Sequence, residues 1–162
     1  MKKRVYFKNI EEAEALCFIE HSQNSYRNDL IASKKFSSES LINKELKRFR
    51  NLFFQGIEKK NGYIYAIMDE NNLKIGYIWY EKRQVDSAYI CDFVILRQYR
   101  SRGYGYASLK CLEEQLKKEG IHLILLHVFD FNYIAINLYK KAGYVIYAYE
   151  DGGIRMKKKL EV

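Results

Sequence analysis

The chain has 162 residues, 48% of them hydrophobic and 15% aromatic, which is enough to bury one sizeable core and excludes a disordered chain. The formal net charge of +8 favours an anionic partner, whether nucleic acid, acidic lipid or a phosphorylated cosubstrate, without choosing among them. The longest apolar runs are strand-sized, such as IHLILLHVF at 121–129, well short of the roughly 20 residues of a membrane helix.

The N-terminus, MKKRVYFKNIEEAE, has no apolar core of signal-peptide length before acidic residues appear. Cys17, Cys91 and Cys111 form no Cys-x-x-Cys pair and read as reduced core residues, with neither a metal nor a disulfide implied. The expectation is one cytoplasmic domain spanning 1–162, with no membrane segment. A short strand is predicted at 3–7. Leu16, Ile19, Gln23, Tyr26 and Leu30 then share a helical face over roughly 10–32. SKKFSS interrupts the pattern and offers a serine to cap the next helix, whose core stripe is Ile42, Leu46, Phe49 and Phe53. From Gly62 the period switches to two. YIYAIMD, the turn residues ENN and LKIGYIWYE read as an antiparallel hairpin, and SAYICDFVIL at 87–96 as a strand covered on both faces.

Gly105, Leu109, Leu112 and Leu116 share one face of the following helix, with Glu113–Lys117 and Glu114–Lys118 as i,i+4 pairs on the other and Gly120 as its terminator. IHLILLHVF is a buried strand. Asn132 can cap a helix carrying Ala135, Tyr139 and Ala142 on one side and ended by Gly143. YVIYAYE, DGG and IRMKKKL close the chain as a hairpin. The order β-α-α-β-β-β-α-β-α-β-β predicts an α/β (α+β) fold. It has four helices and a mixed, mostly antiparallel sheet of about seven strands, whose central β-α-β crossover is parallel and right-handed.

One stretch, RSRGYGYASLK at 100–110, sets two glycines two apart behind two arginines. It can be read as a plain helix start. Residues 102–109 also follow the basic-Gly-aromatic-Gly-aromatic octamer of RNA-recognition motifs, and VYFKNI at 5–10 imitates the companion hexamer. That octamer must be a strand, however, and residues from 105 onward carry a helical stripe. The third reading is a phosphate cradle: strand, glycine-rich turn, helix, with unpaired N–H groups and the positive helix end aimed at an anion. Arg100 and Arg102 can add direct contacts. No Gly-Lys-Ser/Thr follows, so it is not a Walker loop, and Ser108 replaces the third glycine of a dinucleotide fingerprint.

Arg100-Ser-Arg-Gly103-Tyr-Gly105-Tyr-Ala107 resembles the pyrophosphate loop of the GNAT superfamily of N-acetyltransferases, and NYIAINLYKKAGY at 132–144 is similar to that family's Asn-x-x-Ala-x-x-Leu-Tyr-x-x-x-Gly-Phe segment, with Tyr144 for Phe. Arg97 stands where the family often has proline, which implies a local change only. The resemblance implies acetyl-CoA as cosubstrate and no metal. Backbone of Val94, Ile95 and Leu96 would pair with the pantetheine arm. Arg100, Ser101, Arg102, Gly103, Tyr104, Gly105 and Tyr106 would hold the pyrophosphate, and Asn132 and Ala135 would line the cofactor arm. Tyr139 matches the family's general acid.

The reaction implied is direct, ternary-complex transfer of acetyl to a primary amine of a small molecule, peptide or protein. The amine must lose a proton, and Asp92 is the one carboxylate inside the apolar run YICDFVIL, where a charge is costly unless functional or paired. Asp92 is therefore the candidate base, an ion-pair role being its alternative, and Glu81 the second candidate. Trp79 is a candidate floor for the acceptor pocket and His127 a candidate pocket residue. Residues 20–60, the region that shapes acceptor pockets in this family, carry no readable motif. A CoA-binding sensor that transfers nothing is the alternative function, and an RNA-binding module the remote one. No nucleic-acid partner is expected, and a homodimer stays open.

Overall fold

The computed structural model describes residues 2–36, 38–150 and 152–161. The chain runs β1 (Val5–Asn9), α1 (Glu12–Ala32), α2 (Glu39–Glu58), β2 (Gly62–Asp69), β3 (Lys74–Arg83), β4 (Ser87–Ile95), α3 (Tyr104–Lys118), β5 (Leu123–Phe129), α4 (Tyr133–Lys141), β6 (Val145–Glu150) and β7 (Gly153–Lys159). The seven strands form one sheet of order β1-β2-β3-β4-β5-β7-β6. Every pairing is antiparallel except β4 with β5, the pair that α3 connects. The predicted element order and mixed sheet are thus observed. Asp151, in the expected turn of the last hairpin, lies outside the described residues.

Strand alternation divides the core between the two faces. Ile78 and Tyr80 enter the cluster beneath α3 and α4, with Ile90, Leu109, Leu112, Leu116 and Tyr139. Trp79, between them, enters the cluster beneath α1 and α2, with Phe18, Ile19 and Phe53. Leu109, Leu112 and Leu116 are each fully buried. At about 2 kcal/mol or more apiece they anchor the middle of α3.

Local chemistry sets the boundaries. Ser38 supplies the expected cap of α2, accepting from the Leu41 N–H at 3.3 Å. Asp69 pins the β2–β3 turn by accepting from the N–H groups of Asn71 and Leu73, both at 2.9 Å. Three expectations are corrected. The buried stripe of α1 is Ala15, Phe18, Ile19, Ser22 and Leu30, while Leu16 is exposed, because the helix sits rotated toward β3 and β4. Glu113 faces inward, not to solvent. Its Oε2 accepts from the ammoniums of Lys110, one turn earlier in α3, at 2.9 Å and of Lys158 on β7 at 2.8 Å, in place of the expected partner Lys117. Cys17 is likewise exposed instead of buried. Among the described residues no helix is long and apolar enough to cross a membrane.

Candidate active site

The sheet opens at one place. β4 pairs with β5 only from Ser87–Leu123 to Ile90–Leu126, whereas its pairing with β3 continues to Ile95. Beyond Ile90 the two parallel strands part, and β4 has a free edge. Alternation decides what that edge offers. The Leu96 N–H donates to the Ile75 carbonyl at 2.8 Å, and the Val94 carbonyl lies against Gly76, so both groups turn toward β3. Ile95 turns the other way, and its carbonyl accepts from Arg100 Nε at 2.8 Å. Within the expected 94–96 segment the backbone facing the gap is that of Ile95. The side chains of Val94 and Leu96 line a cavity of about 240 Å³ against Cys17, Phe18, His21 and Tyr77.

A 3-10 turn at Arg97–Tyr99 occupies the strand exit. The loop after it curls through two left-handed residues, Ser101 at φ 58° and Gly103 at φ 84°. Gly103 is the N-cap of α3, and no side chain caps that helix. The first helical bond is from the Ala107 N–H to the Gly103 carbonyl, so the N–H groups of Tyr104, Gly105 and Tyr106 have no partner within the helix. Arg100, Ser101 and Arg102 are exposed around this positive end. The two glycines serve different purposes. Gly103 meets only Lys3 Cγ, at 3.7 Å from an added Cβ, and is needed for its conformation. Gly105 would place a Cβ 3.0 Å from Leu138 and is needed for the approach of α4. The Tyr104 side chain is buried, edge-on to Tyr99, so its contribution at the surface is its N–H. The stretch that imitates an RNA-binding strand is helical from Tyr104, which removes the base-stacking surface. Lys3, whose ammonium lies 4.8 Å from the centre of the Tyr104 ring, brings a further cation here that no motif announces.

Across the opening, α4 is capped by Asn132, whose Oδ1 accepts from the Ala135 N–H at 3.2 Å. Two turns on, Tyr139 packs edge-on to Tyr144 at 5.6 Å. Burial pushes its hydroxyl well above the ordinary tyrosine range, and Asp92 and Tyr89 push it further, which puts all three in one electrostatic neighbourhood at the parting of β4 and β5. Asp92 stands beyond a β-bulge. Trp79 pairs with Asp92 but Tyr80 with Ile90, leaving Cys91 as the extra residue. Its Oδ1 accepts from the Phe93 N–H at 2.9 Å, and its Oδ2 accepts from the Ser22 hydroxyl on α1. Burial raises its pKa to about 6, opposed by the Phe93 hydrogen bond and aided by Asp29. It has no ion-pair partner among the described residues.

Glu81 is buried at 4% exposure, but its carboxylate pairs with Arg83 at 3.3 Å. Trp79 is 1% exposed, edge-on to Phe49 and Phe53, and is therefore core and not an accessible floor. His127 sits half-buried on β5 with Glu150 at 3.7 Å, and burial lowers its pKa. Three residues of the α1 side were not among the predicted site residues: Ser22, Asp29 and Tyr26, the last expected only on the helix's core face; they stand at i, i+7 and i+4. Tyr26 packs on Phe49 and Phe129, with centroids at 4.8 and 6.1 Å. Asp29, half-buried and without an ion-pair partner among the described residues, is raised by burial. Its charge is felt by Tyr26 and by Asp92. A cavity of about 780 Å³ lies elsewhere, at the far end of α3 beside Lys110, Gly143 and Lys158, away from this chemistry.

The chain and its fold are similar to those of known proteins. YdgE, an uncharacterised N-acetyltransferase of Bacillus subtilis, is 25% identical over 155 residues, covering 94% of this chain and 96% of its own. A crystal structure of the Bacillus subtilis acetyltransferase YycN superposes with a TM-score of 0.79 at 20% identity, over 90% of this chain and 98% of that one. The spermidine N-acetyltransferase of Vibrio cholerae, solved with CoA and spermine, superposes at 0.65 with 17% identity, over 97% and 96% of the two chains. The model of the Acetyltransferase (GNAT) family matches residues 24–144, taking in Asp92, the loop at 100–106 and Tyr139. That match spans well over half of the chain, so this chain belongs to the GNAT family of acetyltransferases and is an N-acetyltransferase.

Proposed function

We propose that the protein transfers acetyl from acetyl-CoA to a primary amine in a ternary complex, with Asp92 as base and Tyr139 as acid. The loop fits the donor. Its unpartnered N–H groups at 104–106, the α3 dipole and the side chains of Arg100 and Arg102 suit a pyrophosphate, and the free edge at Ile95 suits the extended arm that precedes the thioester. Ser101 and Gly103 shape that cradle, while Asn132 and Ala135 flank it from α4.

The observation that carries the proposal is Asp92: a carboxylate without a cation partner, with a pKa of about 6, beside Tyr139 at the parted strands. A free alkylamine has a pKa of about 10.4, and its nitrogen becomes far more acidic as the new C–N bond forms. At that moment Asp92, ionised above pH 6, is positioned to receive the proton, directly or through one water. As the C–S bond breaks, Tyr139 supplies a proton to the departing sulfur. Its raised pKa keeps the hydroxyl protonated until then. Glu81, held by Arg83, is the weaker candidate.

The acceptor side supports a cationic amine. In a chain of net charge +8, Asp92 and Asp29 are two part-buried carboxylates with no ion-pair partner among the described residues, and the charge of Asp29 bears on both Asp92 and Tyr26. Such a surface favours an alkylamine carrying a second positive centre. The test is a thiol-release assay with acetyl-CoA over monoamines, diamines, polyamines and lysine peptides. Faster release with diamines or polyamines than with monoamines of equal length supports this acceptor class. CoA binding by titration calorimetry with no thiol release on any amine would replace the enzyme with a CoA sensor.

A further inference from the structure

Ser22 sits in the middle of α1 at 3% exposure, in a stripe that is otherwise apolar. A buried hydroxyl there costs stability unless it finds a partner. Its partner is Asp92, seventy positions away, to whose Oδ2 it donates. We propose that Ser22 is a positioning residue for the acetyl-transfer reaction, orienting the Asp92 carboxylate and tuning the pH at which it accepts a proton. This rests on the reading of Asp92 as base.

The geometry explains why a second donor is needed. The Phe93 N–H holds Oδ1 from within β4. One hydrogen bond alone would let the carboxylate swing about its Cα–Cβ bond. Ser22 holds the other oxygen from the opposite element, so the carboxylate plane is set by α1 and β4 together. Each oxygen keeps one lone pair for an incoming proton. A hydroxyl suits the task better than an ammonium or guanidinium would. It stabilises the carboxylate without a full charge, so the carboxylate stays basic, and it can rotate to become an acceptor once Asp92 is protonated. The other ionisable groups facing Asp92 are Asp29 from α1, Tyr139 from α4 and the Cys91 thiol beside it in β4. None supplies a positive charge. The hydrogen bonds that the ionised form accepts are those of the Phe93 N–H and the Ser22 hydroxyl.

The position of Ser22 on α1 adds a consequence. Tyr26 and Asp29, the groups facing the acceptor, lie on the same helical face one and two turns on. A shift of α1 on acceptor binding would therefore be transmitted to the carboxylate through one hydrogen bond.

The experiment compares wild type, Ser22→Ala, Ser22→Thr, Asp92→Asn and the Ser22→Ala/Asp92→Asn double variant. The readouts are kcat against pH and a carbon-13 carboxyl titration of Asp92 with CoA bound. In Ser22→Ala the acidic limb and the carboxyl titration should both move up by about one pH unit. Activity should fall most below the limb, converge with wild type above it, and leave CoA affinity unchanged. Ser22→Thr, which keeps the hydroxyl, should restore the wild-type limb. On the Asp92→Asn background the serine change should add nothing. A uniform fall at every pH, with the titration unmoved, would overturn the positioning role while leaving Asp92 as base. An acidic limb that persists in Asp92→Asn would instead overturn Asp92 itself, and the direct carboxyl titration would still report whether Ser22 tunes it.

Discussion

Strand β4 carries a different kind of surface on each side of the reaction centre. Around its exit, toward α3, the groups are mainly backbone: the Ile95 edge, whose carbonyl accepts from Arg100, and the N–H groups of Tyr104, Gly105 and Tyr106 above a loop bent by Ser101 and Gly103 and flanked by the Arg100 and Arg102 side chains. Toward α1 they are side chains: Asp92, Ser22, Tyr26 and Asp29, drawn from two elements far apart in sequence. A surface made of backbone depends on conformation and is indifferent to most side chains. It suits a donor that is the same in every turnover. A surface made of side chains depends on identity and charge, and is where acceptor choice and pH dependence belong.

Changes on the two sides should therefore fail in different ways. The largest effect is expected at Gly103, whose φ of 84° excludes a β-branched residue. Gly103→Val should abolish CoA binding in a calorimetric titration while far-UV circular dichroism stays that of the folded protein. Retained affinity would dissolve the distinction between the two surfaces. Next is Tyr139→Phe, on the seam. It should lower kcat by about 100-fold or more with CoA affinity intact, and an unchanged kcat across pH would remove Tyr139 from the chemistry.

Asp92→Asn sharpens the comparison from the other side. The acidic limb near pH 6 should disappear, because no carboxylate remains to titrate. Stability should move the opposite way. The folded pKa of about 6 lies above the ordinary 3.8, so the folded state holds this proton more tightly. Ionising Asp92 therefore destabilises the fold progressively between about pH 4 and pH 6, and fully above. Asparagine escapes that penalty, and urea unfolding at pH 7.5 should show a gain of about 1–3 kcal/mol, absent at pH 4. The smallest effect is expected at Asp29. Asp29→Asn should raise KM for a diamine by about fivefold, leaving KM for a monoamine and CoA affinity untouched. An equal rise for both amines would show that its charge does not read the second cation.

The same division explains what was legible beforehand. Element order, the mixed sheet and the loop at 100–106 follow from periodicity and from residues adjacent in the chain, and local backbone geometry is what adjacent residues encode. Tyr139 was singled out because the segment it shares with Asn132 resembles a family motif. Asp92 stood out as a charge in an apolar run. Ser22 could not be found this way: its meaning is a contact 70 positions away, and a serine in a helix has many ordinary uses. Trp79 and Glu113 were misplaced for a related reason. Side-chain period gives a face, but which partner fills that face, Phe49 and Phe53 in one case and Lys158 in the other, is settled only by packing.

Cys91 has a part in this that its half-buried thiol does not suggest. It is the extra residue of the bulge, and it packs with the cluster beneath α1 and α2, the side from which Ser22 reaches Asp92. Two successive residues of β4 therefore face the same way. Excising Cys91 would restore regular alternation and leave Asp92 opposite Trp79 on the α1 side. What the extra residue adds is a local bend in β4, next to the place where β5 leaves it.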